Sequence, residues 1–382
     1  MSLVTVRQCF AFSAVKPVES HESMRRQKQN WFRIFAATAI STASVLAPIG
    51  EAMAQTPCFR GINLSGAEFG KPGGQPFKDY TYPSAETVTY FASKGFDTVR
   101  LPFMWERLQP KLMQPFDPDE TNRLKEAVAL IRSHDMRVIL DPHNFARYRE
   151  KVVGSPDVPA AAFGDFWARL ASLYPNDKDV IFGLMNEPYQ MPIAQWLNAA
   201  NTATSAIRNQ ARADNLILVP GTAWTGAHSW MKPIDGEPNG VAMARFQDPG
   251  HNFAFEVHQY LDDDFSGTKP NCSRGNDAVE ALRKFTDWLK QNGFRGFLGE
   301  FGAPAKAGKM RCIDTLKSMV GVLEDNKDVW TGWTYWVAGD WWPAEEPLNI
   351  QPTKDGDRPQ LAALQPTLSD FSAEGKNCPS LN

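Results

Sequence analysis

One arrangement constrains this chain more than any other: short apolar runs alternate with amphipathic stretches, and the alternation repeats eight times. The runs are GINLSG (61–66), DTVRLPF (97–103), RVILDPH (137–143), VIFGLMNEP (180–188), LILVPGT (216–222), FAFEVHQY (253–260), GFLGEFG (296–302) and TGWTYWVAG (331–339). Each has strand length and strand composition. Between them lie segments such as SAETVTYFASKG (84–95), ETNRLKEAVALIRSHD (120–135) and DAVEALRKFTDWLKQNG (277–293), whose apolar positions recur at three- and four-residue steps. Eight strand–helix units predict an α/β chain folded as a (β/α)8 TIM barrel with one catalytic domain. A doubly wound open sheet fits less well, because no glycine-rich phosphate turn follows the first run. The fifth unit is the exception: WTGAHSWMKPIDGEPNGVAMARF (224–246) has little helical periodicity and reads mostly as a loop.

The N-terminal segment stands outside this pattern. MRRQKQNWFR (24–33) is basic, IFAATAISTASVLAPIG (34–50) is apolar and small, and AMAQ offers an Ala-x-Ala cleavage site. That order predicts a signal peptide over 1–54, with a start at Met24 as an alternative and 55–382 as the catalytic domain. The apolar part is shorter than the roughly 20 residues of a spanning helix. A secreted or periplasmic protein is expected, with no membrane association after cleavage.

Without residues 1–54, the chain keeps 34 basic and 40 acidic residues of the full 40 and 43. A net charge of −6 disfavours nucleic acid and anionic membranes as partners. A monomer is expected. Four of the five cysteines remain: Cys58, Cys272, Cys312 and Cys378. An even number in an exported chain favours two disulfides, and the spacing lacks the closeness of zinc sites. The expected pairs are Cys272–Cys312, from the loop after strand six to the helix after strand seven, and Cys58–Cys378, joining the chain ends. Neither a metal nor a cofactor is expected. The acidic loop LDDDFSGTKPNC (261–272) lacks EF-hand spacing and reads as a solvated loop.

Polar residues gather at the C-terminal ends of the runs. Arg100 lies in the second, His143 and Asn144 close the third, Asn186 and Glu187 the fourth, His258 and Tyr260 the sixth and Glu300 the seventh, while Trp333 and Trp336 lie in the eighth. In a barrel these ends converge on one face. Glu187 and Glu300, on nearly opposite strands, form a pair of carboxylates of the kind a glycosidase uses: one acts as acid, the other attacks or activates water. Their pKa values must be separated. Arg100 and Tyr260 are placed to keep Glu300 ionised, and Glu187, behind the apolar IFGLM, is the candidate for the protonated partner.

GLMNEP and LGEFG resemble the two catalytic signatures of glycoside hydrolase family 5. VRLPFMWERLQP and LDPHNFARY are similar to its second and third strand ends. VHQYLDDDFSGT resembles the sixth strand region of its cellulase branch. The resemblance runs from Phe59 to Trp342. It implies Glu187 as acid/base and Glu300 as nucleophile of a retaining reaction on a β-glucan polysaccharide. It also implies Arg100, His143, Asn186, His258, Tyr260 and Trp336 as the surrounding set, Trp336 being preferred to the deeper Trp333. An endo-β-1,4-glucanase is expected. The alternatives are another β-glycanase of the family, such as a mannanase or xyloglucanase, and a non-catalytic carbohydrate-binding barrel. Trp224, Trp230, Trp105, Trp341 and Trp342 are candidate sugar platforms.

Overall fold

The computed structural model describes residues 59–305 and 311–373. The leader and the Cys58–Cys378 pair lie outside the described residues. Eight parallel strands close into a barrel in sequence order. They are β1 (Phe59–Leu64), β2 (Thr98–Phe103), β3 (Arg137–Pro142), β4 (Val180–Gly183), β5 (Ile217–Pro220), β6 (Phe253–His258), β7 (Gly296–Glu300) and β8 (Trp330–Ala338). The fold is the expected (β/α)8 barrel. The largest difference is at β4, where the regular strand ends at Gly183, so Asn186 and Glu187 stand beyond it. The Leu184 amide still donates to Leu218 on β5, and the Asn186 amide to Pro142 on β3.

Side chains alternate between the barrel interior and the helix layer, as the pleat requires. Phe59, Ile139, Ile181, Leu218, Ala254 and Phe297 form a small buried cluster of their own. Their neighbours Val138, Leu140, Val180, Phe182, Val219 and Leu298 join the larger core under the helices. Two residues further along three of these strands, the inward positions change character, to Asp141 on β3, Glu256 on β6 and Gly299 on β7. The apolar floor thus gives way to a charged layer toward the C-terminal rim.

The helices begin where their caps direct. Ser84 accepts a hydrogen bond from the Thr87 amide at the start of Ala85–Ser93. Asp117 does the same for Pro118–Arg132, with Pro118 in the first turn and Asp119 and Glu120 favourably placed near the helix N-terminus. Gly275–Asn292 stops at Gly293, whose φ of 68° is the left-handed conformation that suits a C-cap glycine. After β5 there are two 3-10 turns, Ala223–Thr225 and Ala227–Ser229, and the four-residue helix Asn239–Ala242, in line with the loop-like sequence.

Cys272 and Cys312 are disulfide-bonded, tying the loop after β6 to the helix Cys312–Glu324. No helix among the described residues is long and apolar enough to cross a membrane.

Candidate active site

Arg100 sits at the centre of the rim-side layer, fully buried. Its guanidinium donates to Asn63 Oδ1 on β1 at 3.0 Å, to Glu300 Oε1 on β7 at 2.9 Å and to Asn186 Oδ1 after β4 at 2.9 Å. It also lies 3.1 Å from Asp141 on β3 and 3.2 Å from Glu256 on β6. Burial opposes its charge, but Asp141, Glu256 and Glu300 outweigh burial and raise Arg100 above its ordinary value. A buried charge is tolerable only when compensated in this way.

Because Arg100 carries only donors, it fixes the Asn186 amide with Oδ1 toward itself. Asn186 Nδ2 then faces His143 Nε2 at 3.1 Å, and His143 Nδ1 donates to Asp141 at 2.8 Å. Burial lowers the His143 imidazole, and Asp141 and Glu300 raise it by more. Accepting from Asn186 nevertheless requires a lone pair on Nε2, so these hydrogen bonds select the neutral ring with its proton on Nδ1. The Trp336 ring stacks parallel to His143, with centroids 5.6 Å apart. Trp333 instead packs outward against Phe96 and Phe301.

His258 joins the two glutamates. Its Nδ1 donates to Glu187 Oε1 at 2.7 Å and lies 3.5 Å from Glu300 Oε2, while Nε2 faces Glu256 at 3.3 Å. Burial would lower this ring, but Glu300 and the hydrogen bonds to Glu187 and Glu256 push it up to about 10. His258 is therefore an imidazolium at neutral pH, donating from both nitrogens.

A carboxylate oxygen of Glu187, one of Glu300 and a nitrogen of His258 lie within 4.8 Å of one another. The two glutamates are not equivalent. Burial favours the neutral form of Glu300, but His258, Arg100 and the Tyr260 hydroxyl, which donates to Oε2 at 2.7 Å, hold it below the ordinary carboxylate value. Burial raises Glu187, and the negative charge of Glu300 adds to this against the opposing His258 hydrogen bond. Glu187 also has a φ of 38°, an uncommon conformation for a non-glycine residue, at the point where the chain turns away from β4. Adjacent carboxyls with opposite shifts suit proton donation by one and attack by the other.

The same three residues have the chemistry to bind a cation, but Arg100 and protonated His258 already supply positive charge there. The acidic loop is a second such grouping. Only part of it is solvated. Asp262 is buried and accepts from Ser266 Oγ and from the amides of Gly267 and Lys269, whereas exposed Asp263 and Asp264 pair with Lys269. The turn Asp262 organises brings Gly267 against the Tyr260 ring so closely that a Cβ would collide with it.

Residues 55–339 match the family described as Cellulase (glycosyl hydrolase family 5). The chain belongs to glycosyl hydrolase family 5. It is a glycoside hydrolase, similar to endo-beta-1,4-glucanase B of Emericella nidulans, with 33% identity over 82% of this chain and 94% of that protein. An endo-beta-1,4-glucanase from Xanthomonas axonopodis pv. citri superposes with a TM-score of 0.79 at 48% identity, covering 82% of this chain and 99% of that one. XacCel5A in complex with cellopentaose gives a TM-score of 0.78 at 48% identity, covering 81% and 99%.

Within this family barrel, several residues anticipated for the site lie elsewhere. Asn144 turns away from the glutamates: its Oδ1 accepts from the Trp105 amide at 2.8 Å and its Nδ2 donates to Glu106 at 2.5 Å. Trp105 and Trp230 are core residues, 0% and 1% exposed. Trp230 packs among Phe255, Phe285 and Trp288, so it is no platform. Trp224 is 47% exposed and lies flat on Tyr189, with centroids 3.8 Å apart. Its amide donates to Pro188, beside Glu187. Trp342 stands edge-on to Trp336 at 5.5 Å.

Asn63, Asp141, Tyr189 and Glu256 were not anticipated from the sequence. Asp141 and Glu256 each precede a strand-end histidine by two residues, the spacing that puts both side chains on one face of a strand. That spacing was the available signal. Glu256 also accounts for the glycine before Glu300, since a Cβ at Gly299 would run into its carboxylate.

Proposed function

We propose that this glycoside hydrolase is an exported endo-β-1,4-glucanase that cleaves with retention, with Glu187 as acid/base and Glu300 as nucleophile. The observation that carries the reading is the close, unequal carboxyl pair, in which one oxygen of Glu187 lies within 4.8 Å of one oxygen of Glu300. Retaining pairs stand about 5–5.5 Å apart, and inverting pairs need about 6.5–9.5 Å to admit a water. Glu187 uses Oε1 to accept from His258, which leaves Oε2 to hold the proton for the leaving glycosidic oxygen. Glu300, kept ionised, attacks the anomeric carbon and forms a glycosyl ester. Glu187, now a carboxylate, takes a proton from water, and that water opens the ester.

Around the pair, the second hydrogen of Asn186 Nδ2 is available to the sugar 2-hydroxyl, a contact that strengthens in the oxocarbenium-like transition state. Trp336 forms the platform for the sugar being cleaved. The Tyr189–Trp224 stack, next to Glu187, forms one for the leaving sugar. Arg100, His143, His258 and Tyr260 set charge and orientation. The β-1,4-glucan substrate is supported by the names of the relatives and by cellopentaose in XacCel5A. The N-terminal sequence supports export.

Azide rescue tests the roles. Glu300→Gly with azide and an activated β-glycoside is expected to yield the α-glycosyl azide, and Glu187→Ala the β-anomer. Exchanged anomers would mean that the roles are exchanged. A panel of carboxymethylcellulose, barley glucan, xyloglucan and mannan tests the substrate. Preference for mannan or xyloglucan, or no hydrolysis at all, would overturn the glucanase reading.

A further inference from the structure

A cavity of about 430 Å³ opens at the edge of the catalytic face, between the loop after β1, the loop after β8 and the helix Pro118–Arg132. That volume falls within the range of about 300–1,000 Å³ typical of small-molecule sites. Phe77, Tyr82, Arg123, Glu126, Asp340 and Trp341 contribute to its walls.

Its aromatic residues are held on a built scaffold. Phe77 is 79% exposed, more than any other large exposed apolar residue described. It sits in the left-handed region with a φ of 61°, a conformation that costs a bulky non-glycine residue energy and persists only where its surroundings enforce it. The enforcement comes from its loop, where the Phe77 amide donates to Tyr80 at 2.8 Å and the Gln75 amide to Asp79 at 2.7 Å. On the opposite wall, the Asp340 carboxylate accepts from the Ser84 amide at 2.8 Å, Ser84 Oγ at 2.6 Å and Thr87 Oγ1 at 2.7 Å. Those bonds fix the backbone immediately before Trp341.

The chain runs directly from the cavity wall to the catalytic centre, since Trp341 is followed by Trp342. Trp342, the next residue, packs edge-on to Trp336 and lies 5.7 Å from Phe69 of the β1 loop. Successive tryptophans therefore serve the two places: Trp342 beside the cleavage point and Trp341 in the cavity.

We propose that this cavity is a distal sugar-binding site that holds a remote part of the same β-glucan chain, a proposal that rests on the glucanase reading above. The apolar faces of equatorially substituted pyranoses pack on Phe77 and Trp341. Arg123 supplies donors and Glu126 an acceptor for ring hydroxyls at the wall. The site adds affinity for long chains without touching the reacting bond.

The test compares Phe77→Ala/Trp341→Ala with wild type on a neutral polymer, hydroxyethylcellulose, and on a short chromogenic cellobioside that cannot span both sites. The expected result is a rise of about tenfold in polymer KM, equivalent to about 1.4 kcal/mol. Retardation in hydroxyethylcellulose gels is lost as well, while kcat/KM on the cellobioside is unchanged. Trp341→Phe, which keeps a ring face, restores much of the polymer affinity. Unchanged polymer KM and gel mobility in an otherwise active double variant would overturn the proposal. So would equal losses on both substrates, which would mark the two rings as structural. A wild-type protein inactive on both substrates would instead overturn the glucanase reading itself.

Discussion

Glu256→Gln preserves the outline of a buried side chain and removes its charge. That carboxylate lies 3.2 Å from Arg100 Nε and 3.3 Å from His258 Nε2, so one anion serves two cations. Opposite charges about 4 Å apart attract by about 4 kcal/mol at an effective dielectric constant near 20. The amide oxygen keeps one acceptor, and the carboxylate's own desolvation cost disappears. The net loss should therefore approach the 3–5 kcal/mol or so found when buried pairs are broken. At roughly 2–4 °C per kcal/mol for a large domain, the melting temperature should fall by about 10 °C.

The variant should also change the pH dependence. His258 is pushed up to about 10 from 6.5, so its contribution to stability is complete below pH 6.5 and is lost as pH rises through about 10. Without Glu256 the upward pull on His258 weakens, and the alkaline loss should begin at lower pH. Calorimetry from pH 5 to 10 measures both effects. A fall of less than about 2 °C, with an unaltered alkaline limb, would refute the idea that Glu256 compensates both cations.

Other expectations follow from single contacts. Tyr260→Phe removes the hydroxyl that donates to Glu300; a bond to a charged group is worth about 1.5–3 kcal/mol, so the acid limb of kcat/KM should move up by about one pH unit. A limb that stays in place would exclude Tyr260 from holding Glu300 ionised. Trp230→Ala should cost about 3–5 kcal/mol in denaturant unfolding, whereas Trp224→Ala should leave stability intact and raise KM for cello-oligosaccharides; the opposite pattern would reverse their assignments. Cys272→Ser/Cys312→Ser opens a link across a sequence separation of 40 residues and should lower unfolding free energy by about 4 kcal/mol, which urea titration would register.

Much of this architecture was legible in the chain, because strand and helix periods differ and the polar strand ends broke the apolar pattern. The helix-poor fifth unit was readable for the same reason. Direction was harder to read than position. Asn144 adjoins His143 in sequence, yet beyond the strand its amide turns to Trp105 and Glu106. Trp224 and Trp230 occupy one irregular segment, and only the turns between them send one ring to solvent and the other into the core. Asp141 and Glu256 lie inside apolar runs, where strand composition masks them. Counting back two residues from each histidine exposes them, since alternation carries both members inward. No periodicity marks β4 ending at Gly183, because Leu184 and Met185 are as apolar as the strand before them.

The partners of Arg100 come from β1, β3, β6 and β7 and from the segment after β4, while Arg100 itself belongs to β2. No contiguous half of the chain supplies all the acidic partners of this guanidinium. A folding intermediate with the first four strands assembled would carry a desolvated cation with Asp141 as its one acidic partner of the final three. Such a state is penalised, and the penalty lifts only when the last strands arrive. The reactive centre thereby acts as a checkpoint on its own assembly, so closure of the barrel and competence for chemistry should arise in a single kinetic event. Refolding followed in parallel by tryptophan fluorescence and by recovered turnover should give one shared rate constant. A fluorescent, native-like species that waits measurably for activity would show the checkpoint to be absent.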